Sequence, residues 1–367
     1  MEIGSGVVWK DDWLSLSETF VRDQMNSLEN WNLLKIGFHR TPLPLVEPDY
    51  APYGAGYIGR ALRVVGGTSI YEKGYLKRIR ESDANFIHAH FLSGGMNSVS
   101  LAEKSGLPLI TTLHNPRFSF ERSRIPSSAR SLLARRFRKL TAHGEKFLAV
   151  SNHVAEAAVQ AGLPVDRVEV LPVGTNIVPL ETSQDPQGII FVGRLIEMKG
   201  ARDLLQAVAC LPNSLRDVRV TIVGDGPLRS ELEQFAREKK LNVDFTGWIS
   251  SSKLPKLLAA SKVFCAPSKT DGFGAQEGFG MVYLEAALQQ LPCVAYSSGG
   301  VSDAISDGES GILVAEGEIL ELSKALEHLL RDSTTRWKMG KRGRSRVETD
   351  FNLSTQSMKL EKIYLNI

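Results

Sequence analysis

The chain predicts an α/β protein built from two doubly wound parallel-sheet domains, and three observations carry that prediction. Short β-branched apolar runs alternate with helical patterns almost throughout, the signature of parallel βα units. Glycine turns punctuate the carboxyl ends of several runs, at Gly193, Gly224-Asp225-Gly226-Pro227 and Gly299-Gly300. Finally, Val178-Pro179-Leu180-Glu181-Thr182-Ser183-Gln184-Asp185-Pro186-Gln187 is polar, proline-flanked and followed by a fresh strand pattern, so it divides the chain. The expected organisation is a first domain over 1–178, a second over 179–345, and a C-terminal helix in 346–367 packing back toward the first.

In the first half the strand patterns fall at Leu33–Phe38, Phe86–Ala89, Leu109–Leu113, Phe147–Val150 and Val168–Leu171. In the second they fall at Ile189–Val192, Val218–Val223, Val243–Phe245, Val263–Ala266, Cys293–Tyr296 and Ile312–Val314. Helical patterns lie near Ala201–Ala209, Leu228–Lys240, Leu254–Ala260 and Met281–Gln290. In such sheets ligands bind at the carboxyl ends of the strands, and two domains facing across a cleft are expected.

At 367 residues the chain is long enough for two cores, and its net charge of +3 gives no argument for nucleic acid. No apolar run approaches the ~18 residues of a spanning helix. Met1-Glu2-Ile3-Gly4 lacks a basic region leading into an apolar one, so no signal peptide is expected. Cys210, Cys265 and Cys293 have no metal-ligand spacing and sit among apolar residues, which predicts reduced core thiols.

The stretch Glu277-Gly278-Phe279-Gly280-Met281-Val282-Tyr283-Leu284-Glu285 combines two carboxylates with a glycine turn opening a helix. A helix start near Gly278 and Gly280 offers open N–H groups and a positive dipole end, which suit a phosphate. On ideal helix the two glutamates would stand about 12 Å apart, roughly a sugar plus a ribose. The plain alternative is two solvated glutamates. Gly193-Arg194, with Lys199 and Gly200 behind, ends the second domain's first strand; a glycine admits ligand to the backbone and two cations can neutralise a diphosphate. A solvated charged turn would read the same way.

Gly54-Ala55-Gly56-Tyr57-Ile58-Gly59 matches the dinucleotide fingerprint but follows a proline-rich loop instead of a strand, and no acidic residue ends a second strand downstream, so it predicts no such site. His88-Ala89-His90 closes one strand pattern and His114 the next, which points to ligand contact by His90 and His114 against the alternative of core histidines. No Cys or paired carboxylate completes a zinc sphere there. Arg117 to Lys146 is strongly basic, with Arg117, Arg122, Arg124, Arg130, Arg135, Arg136, Arg138, Lys139 and Lys146 interleaved with Leu132, Leu133, Phe137 and Leu140. That pattern fits a helix lying on anionic lipid; an ordinary surface helix is the alternative, and nucleic acid is not expected.

Taken together, Phe191-Val192-Gly193-Arg194, Val223-Gly224-Asp225-Gly226-Pro227, Pro267-Ser268, the Glu277/Glu285 pair and Gly299-Gly300 resemble the family-4 retaining glycosyltransferases, whose GT-B architecture has two Rossmann-like domains. Ser17-Glu18-Thr19-Phe20 and the loop Asp271–Gln276 are similar to bacterial exopolysaccharide transferases of the colanic-acid type. The resemblance implies a UDP- or GDP-sugar donor and a saccharide acceptor, lipid-linked in bacterial exopolysaccharide or cell-surface polysaccharide synthesis. It implies that Arg194 and Lys199 bind the donor diphosphate, Glu277 the sugar and Glu285 the ribose. Gly193 would lie against the donor, Phe279, Gly280 and Met281 would present backbone N–H groups, and His114 would stand near the reacting carbon with His90 on the acceptor side. It further implies no metal or other cofactor, and a cytoplasmic protein that is peripheral at the inner membrane face.

Three departures from the family pattern stand out. No glycine-rich loop follows Val7-Val8-Trp9, Asn176 replaces the usual acidic residue after Gly174, and Asp303 replaces the usual Glu after the double glycine. Two rivals share the architecture: a nucleotide-sugar 2-epimerase and a non-catalytic nucleotide-sugar-binding partner subunit.

Overall fold

The computed structural model describes residues 4–14, 18–41, 44–53, 68–116 and 127–367, with the side chains of 127–129 left aside. The Gly54–Gly59 fingerprint and Arg117, Arg122 and Arg124 lie outside the described residues. Two compact units are present, Met1–Asn176 together with Leu353–Ile367, and Ile177–Asn352.

The first unit holds β1 (Gly4–Trp9), β2 (Asp12–Trp13), β3 (Trp31–Ile36), β4 (His39–Arg40), β5 (Ile87–His90), β6 (Leu109–Leu113), β7 (Lys146–Ala149) and β8 (Val168–Val170). Six of these make one sheet in the order β3-β1-β5-β6-β7-β8, parallel throughout, while β2 and β4 pair separately. The strand pattern read from the sequence omitted β1, which sits inside this sheet. Its first half is Gly4-Ser5-Gly6, poor in β-propensity, and only Val7-Val8-Trp9 has the buried apolar character of a parallel strand. The reversal of strand order falls between β1 and β5, so their carboxyl ends flank the opening where a doubly wound sheet receives ligand.

The second unit holds β9 (Ile189–Val192), β10 (Val220–Val223), β11 (Val243–Gly247), β12 (Val263–Cys265), β13 (Cys293–Tyr296) and β14 (Gly311–Val314). Their order is β11-β10-β9-β12-β13-β14, all parallel, with the reversal between β9 and β12. Gly193 and Arg194 follow β9 and Pro267-Ser268 follows β12, so two of the quoted motifs meet at the switch point. Cys265 and Cys293 are buried free thiols, but Cys210 is exposed just past the helix Ala201–Ala209, so the expectation of three core cysteines fails there.

The helix Ser333–Asp350 belongs to the second unit, and the return to the first comes at Leu353, later than the 346 read from the sequence. From there the helix Leu353–Leu365 completes the first unit's core. Leu360, Ile363 and Tyr364 join Leu28, Trp31, Phe86, Ile110, Leu148 and Leu171. Tyr364 stacks on Phe86 with ring centroids 4.0 Å apart, and Trp31 Nε1 donates to Glu361 Oε1 at 3.1 Å. Leu360 is fully buried. Leu360→Ala should therefore lower the first unit's stability by about 2–5 kcal/mol. Urea unfolding followed by tryptophan fluorescence checks this, since Trp31 lies in that cluster.

Candidate functional site

In the second unit the helix Met281–Leu288 follows a loop that Asp271 folds on itself. Asp271 Oδ1 accepts from the backbone N–H groups of Phe273 (2.9 Å) and Ala275 (2.8 Å). Glu316 anchors the same loop, accepting from Thr270 N at 2.9 Å, Thr270 Oγ1 at 3.0 Å and Ser298 Oγ at 2.5 Å. Gly280 begins the helix with φ +92°, a left-handed conformation that glycine adopts without strain. The helix starts at Met281, so Glu277 lies in the loop before it and only Glu285 is on the helix.

Glu277 is held from several sides. Its carboxylate pairs with Lys199 Nζ and accepts from Ser268 Oγ at 3.3 Å. Its carbonyl accepts from Gly300 N at 2.8 Å. Gly299 lies so close that a Cβ there would stand 2.4 Å from the Glu277 carbonyl oxygen. The double glycine thus serves the backbone of Glu277, which gives Gly299-Gly300 a packing reason beside any contact with phosphate.

Lys199 ends the 3-10 turn Glu197–Lys199, and that turn is tied to the segment after β12. Lys269 Nζ bridges Asp203 Oδ1 at 2.8 Å and Glu197 Oε1 at 2.9 Å, while its N–H donates to Met198 O at 2.8 Å. Asp203 is buried and also accepts from Tyr296 OH at 3.2 Å. Arg194, by contrast, is exposed, and its guanidinium has no partner among the described residues. Gly193 lends small size only, for its N–H is already bonded to Val223 O at 3.0 Å.

Phe279 sends its ring into the core against Phe351, centroids 5.3 Å apart, so it can offer a ligand only its backbone. The N–H groups of Phe279, Gly280 and Met281 have no hydrogen-bond partner among the described residues. One turn into this helix stands Glu285, the single charged residue of Met-Val-Tyr-Leu-Glu-Ala-Ala-Leu. No cation or donor meets its carboxylate among the described residues, and burial pushes its pKa up to about 7. A carboxylate left uncompensated in an apolar helix costs stability unless a ligand supplies the donors.

In the first unit His90 and His114 do come together. His90 Nδ1 and His114 Nε2 are 3.0 Å apart, and the rings stack with centroids 5.3 Å apart. Phe20 and Phe91 flank His114 at 5.0 and 4.6 Å. Burial keeps all three histidines neutral, lowering His88 and His114 to about 3 and His90 well below its ordinary value. His88 is a satisfied core histidine, bonded to Tyr364 OH at 2.6 Å and Thr112 Oγ1 at 2.7 Å.

The sequence reading missed the polar groups that follow β1. Lys10 is 7 % exposed, pairs with Glu18 at 3.1 Å and stands 4.7 Å over the Phe91 ring. Asp11 accepts from Trp9 Nε1 at 2.9 Å and from Asn97 Nδ2 at 3.0 Å, and Asn97 Oδ1 accepts from Arg136 at 2.9 Å. A charged pair directly after Val7-Val8-Trp9 was the available signal, hidden because β1 had not been recognised. Ser268 was quoted with Pro267 but given no partner, and Lys269 beside it escaped.

Within the basic segment, the helix Ser127–His143 uses several cations on its own unit. Arg136 serves Asn97, Lys139 bonds Ser100 at 3.1 Å and Glu103 at 2.5 Å, and beyond the helix Lys146 meets Glu169 at 3.0 Å. Arg135 and Arg138 are exposed. Among the described residues no helix is long and apolar enough to cross a membrane, and no three His, Cys, Asp or Glu side chains are grouped to hold a metal ion.

Two family models match adjoining parts of the chain: one described as Glycosyltransferase Family 4 over residues 54–178, the other as Glycosyl transferases group 1 over residues 175–346. The chain is a glycosyltransferase of the GT-B type, similar in its two halves to these two models. This transferase is 26% identical over 360 residues to alpha-D-kanosaminyltransferase of Streptomyces kanamyceticus, covering 91% of this chain and 90% of that one. It is 26% identical over 295 residues to the putative colanic acid biosynthesis glycosyltransferase WcaL of Escherichia coli, covering 76% of this chain and 70% of WcaL. Among solved structures, Anabaena Alr3699/HepE in complex with UDP and glucose superposes with a TM-score of 0.79 at 19% identity, over 99% of this chain and 100% of that one. That likeness establishes the GT-B fold of the transferase.

The solitary carboxyl of Glu285 has a consequence for stability. Its folded pKa of about 7 lies above the unfolded value near 4.3, so the unfolded state loses the proton first as pH rises. Stability should therefore fall between about pH 4.3 and pH 7, by at most about 1.4 kcal/mol per pH unit, and then level off. Glu285→Gln should remove that fall and melt higher than wild type at pH 8 but not at pH 4. Thermal unfolding at the two pH values measures it.

Proposed function

We propose that the transferase is a retaining, metal-independent hexosyltransferase that moves a sugar from a UDP- or GDP-sugar to a saccharide acceptor, lipid-linked in exopolysaccharide or cell-surface polysaccharide synthesis. The observation that carries the proposal is the pairing of unpartnered N–H groups at Phe279–Met281 with the uncompensated carboxyl of Glu285. A diphosphate needs donors and a ribose needs an acceptor for its diol, and these lie at opposite ends of one helical turn. The UDP-bound structural neighbour and the curated sugar transferases are consistent with that donor class.

In this reading Arg194 and Lys199 neutralise the diphosphate, with Lys199 sharing its charge between Glu277 and the ligand. Glu277 accepts from sugar hydroxyls. The acceptor oxygen bonds to the anomeric carbon on the face the diphosphate leaves, and the departing phosphate oxygen takes the acceptor's proton. Bond formation, bond cleavage and proton transfer thus balance without an added base. The two cations replace a metal as the stabiliser of leaving-group charge. His114 and His90 lie on the acceptor side. The exposed Arg135 and Arg138 give the first unit a basic face suited to anionic lipid.

Nucleotide release by pure protein from UDP-, GDP- and ADP-sugars, without added metal and with chelator, tests the donor. One sugar nucleotide should be slowly hydrolysed, and Arg194→Ala, Lys199→Ala and Glu285→Gln should each reduce turnover about 10²-fold or more. Wild-type rates in Glu285→Gln would remove the assignment. Conversion of the donor sugar with no nucleotide released would indicate an epimerase, and tight binding without turnover a partner subunit.

Because ribose hydroxyls bond best to the ionised carboxylate, kcat/KM should rise with pH to a plateau above about 7, and Glu285→Gln should flatten that rise. For the membrane, vesicles of phosphatidylglycerol and phosphatidylcholine should bind the protein at low salt and release it at high salt. No sedimentation with anionic vesicles at low salt would remove peripheral association.

A further inference from the structure

We infer that His90 is a positioning residue that assigns the two ring nitrogens of His114, leaving Nδ1 as the nitrogen that meets substrate. The inference rests on the proposed acceptor-side role of His114.

His90 and His114 end neighbouring parallel strands, and the register sets His90 of β5 against Thr112 of β6, two residues before His114. Their contact joins two ring nitrogens, His90 Nδ1 and His114 Nε2, at 3.0 Å. A bond between two imidazole nitrogens needs one hydrogen and one lone pair, so both rings cannot be doubly protonated. His114 is therefore committed at Nε2, and only its Nδ1 can turn to a ligand.

Three surrounding features hold this arrangement. His90 is 1 % exposed and its ring lies against His88, tilted by 30° with centroids 4.7 Å apart, which leaves it little room to swing. His88 in turn is pinned at both nitrogens by Tyr364 and Thr112. Lys10 supplies a positive charge beside both His90 and His114, which opposes protonation of either, and its ammonium is itself held by Glu18. On the far side Phe91 takes φ +67°, unusual for a residue with a side chain, and its ring packs on His114 at 4.6 Å. A strained residue directly after His90 that packs on the same imidazole indicates that the geometry of His114 is constrained by the chain on both sides.

Replacement of His90 separates position from bulk. Asn can place a donor or acceptor close to where Nδ1 stands, Gln places one near Nε2, and Leu has neither. His90→Asn should retain kcat within about threefold of wild type, whereas His90→Gln and His90→Leu should lose roughly 10- to 100-fold in kcat with donor KM unchanged, as for a group that orients a catalytic partner. Nitrogen-15 spectra of histidine-labelled protein should show a neutral His114 in one tautomer in the wild type and a mixture in His90→Leu.

Equal losses in the Asn, Gln and Leu variants, or one unchanged tautomer in all of them, would overturn the inference. Should His90→Asn itself fail to fold, the spectra of His90→Gln against wild type decide. Full activity in His114→Ala would instead defeat the proposed role of His114, and the spectra would still report whether His90 sets its tautomer.

Discussion

Reversal of strand order is the constraint on which both units depend. In each parallel sheet the connections run one way from a central strand and then the other, leaving two adjacent carboxyl ends uncovered by crossover helices. In the second unit those ends release Gly193-Arg194 and Pro267-Ser268, and in the first Lys10-Asp11 and the segment after His90.

The two units handle charge at these ends differently. In the second unit Asp203 and Glu197 are partners of Lys269, and Lys199 and Ser268 are partners of Glu277, while among the described residues Arg194, the amides of Phe279–Met281 and the carboxyl of Glu285 have none. In the first unit the groups at the strand ends have protein partners: Asp11 with Trp9 and Asn97, Lys10 with Glu18, His90 with His114. A preformed cation–carboxylate pair such as Lys199 with Glu277 fixes both side chains before a ligand arrives, at the cost that the ligand must share the lysine.

Much of the architecture was legible in the chain, because buried parallel strands read as short apolar runs and the turns between them carry glycine. The donor-type motif was legible for a related reason: Gly280 and Gly299 are required by backbone geometry around Glu277. Side-chain pairings were not legible. Nothing in the spacing says that Lys199 reaches across 78 residues to Glu277, or that Lys269 bridges Asp203 and Glu197. The strand β1 was lost because Gly4-Ser5-Gly6 dilutes its pattern, and with it went Lys10 and Asp11. The basic segment was legible only as residue types, which cannot distinguish a lysine facing lipid from one bonded to Glu103.

The last helix also governs how the chain can be assembled. The second unit is one continuous segment, Ile177–Asn352, whereas the first is completed only by Leu353–Ile367. Domains emerging from the ribosome ordinarily fold in the order they are made. Here the later unit has all its residues while the earlier one still lacks Leu360 and Tyr364 from its core. A nascent chain must keep Phe86, Trp31 and Ile110 partly uncovered through the synthesis of the whole second unit, so the period of exposure to aggregation or chaperone capture belongs to the first unit.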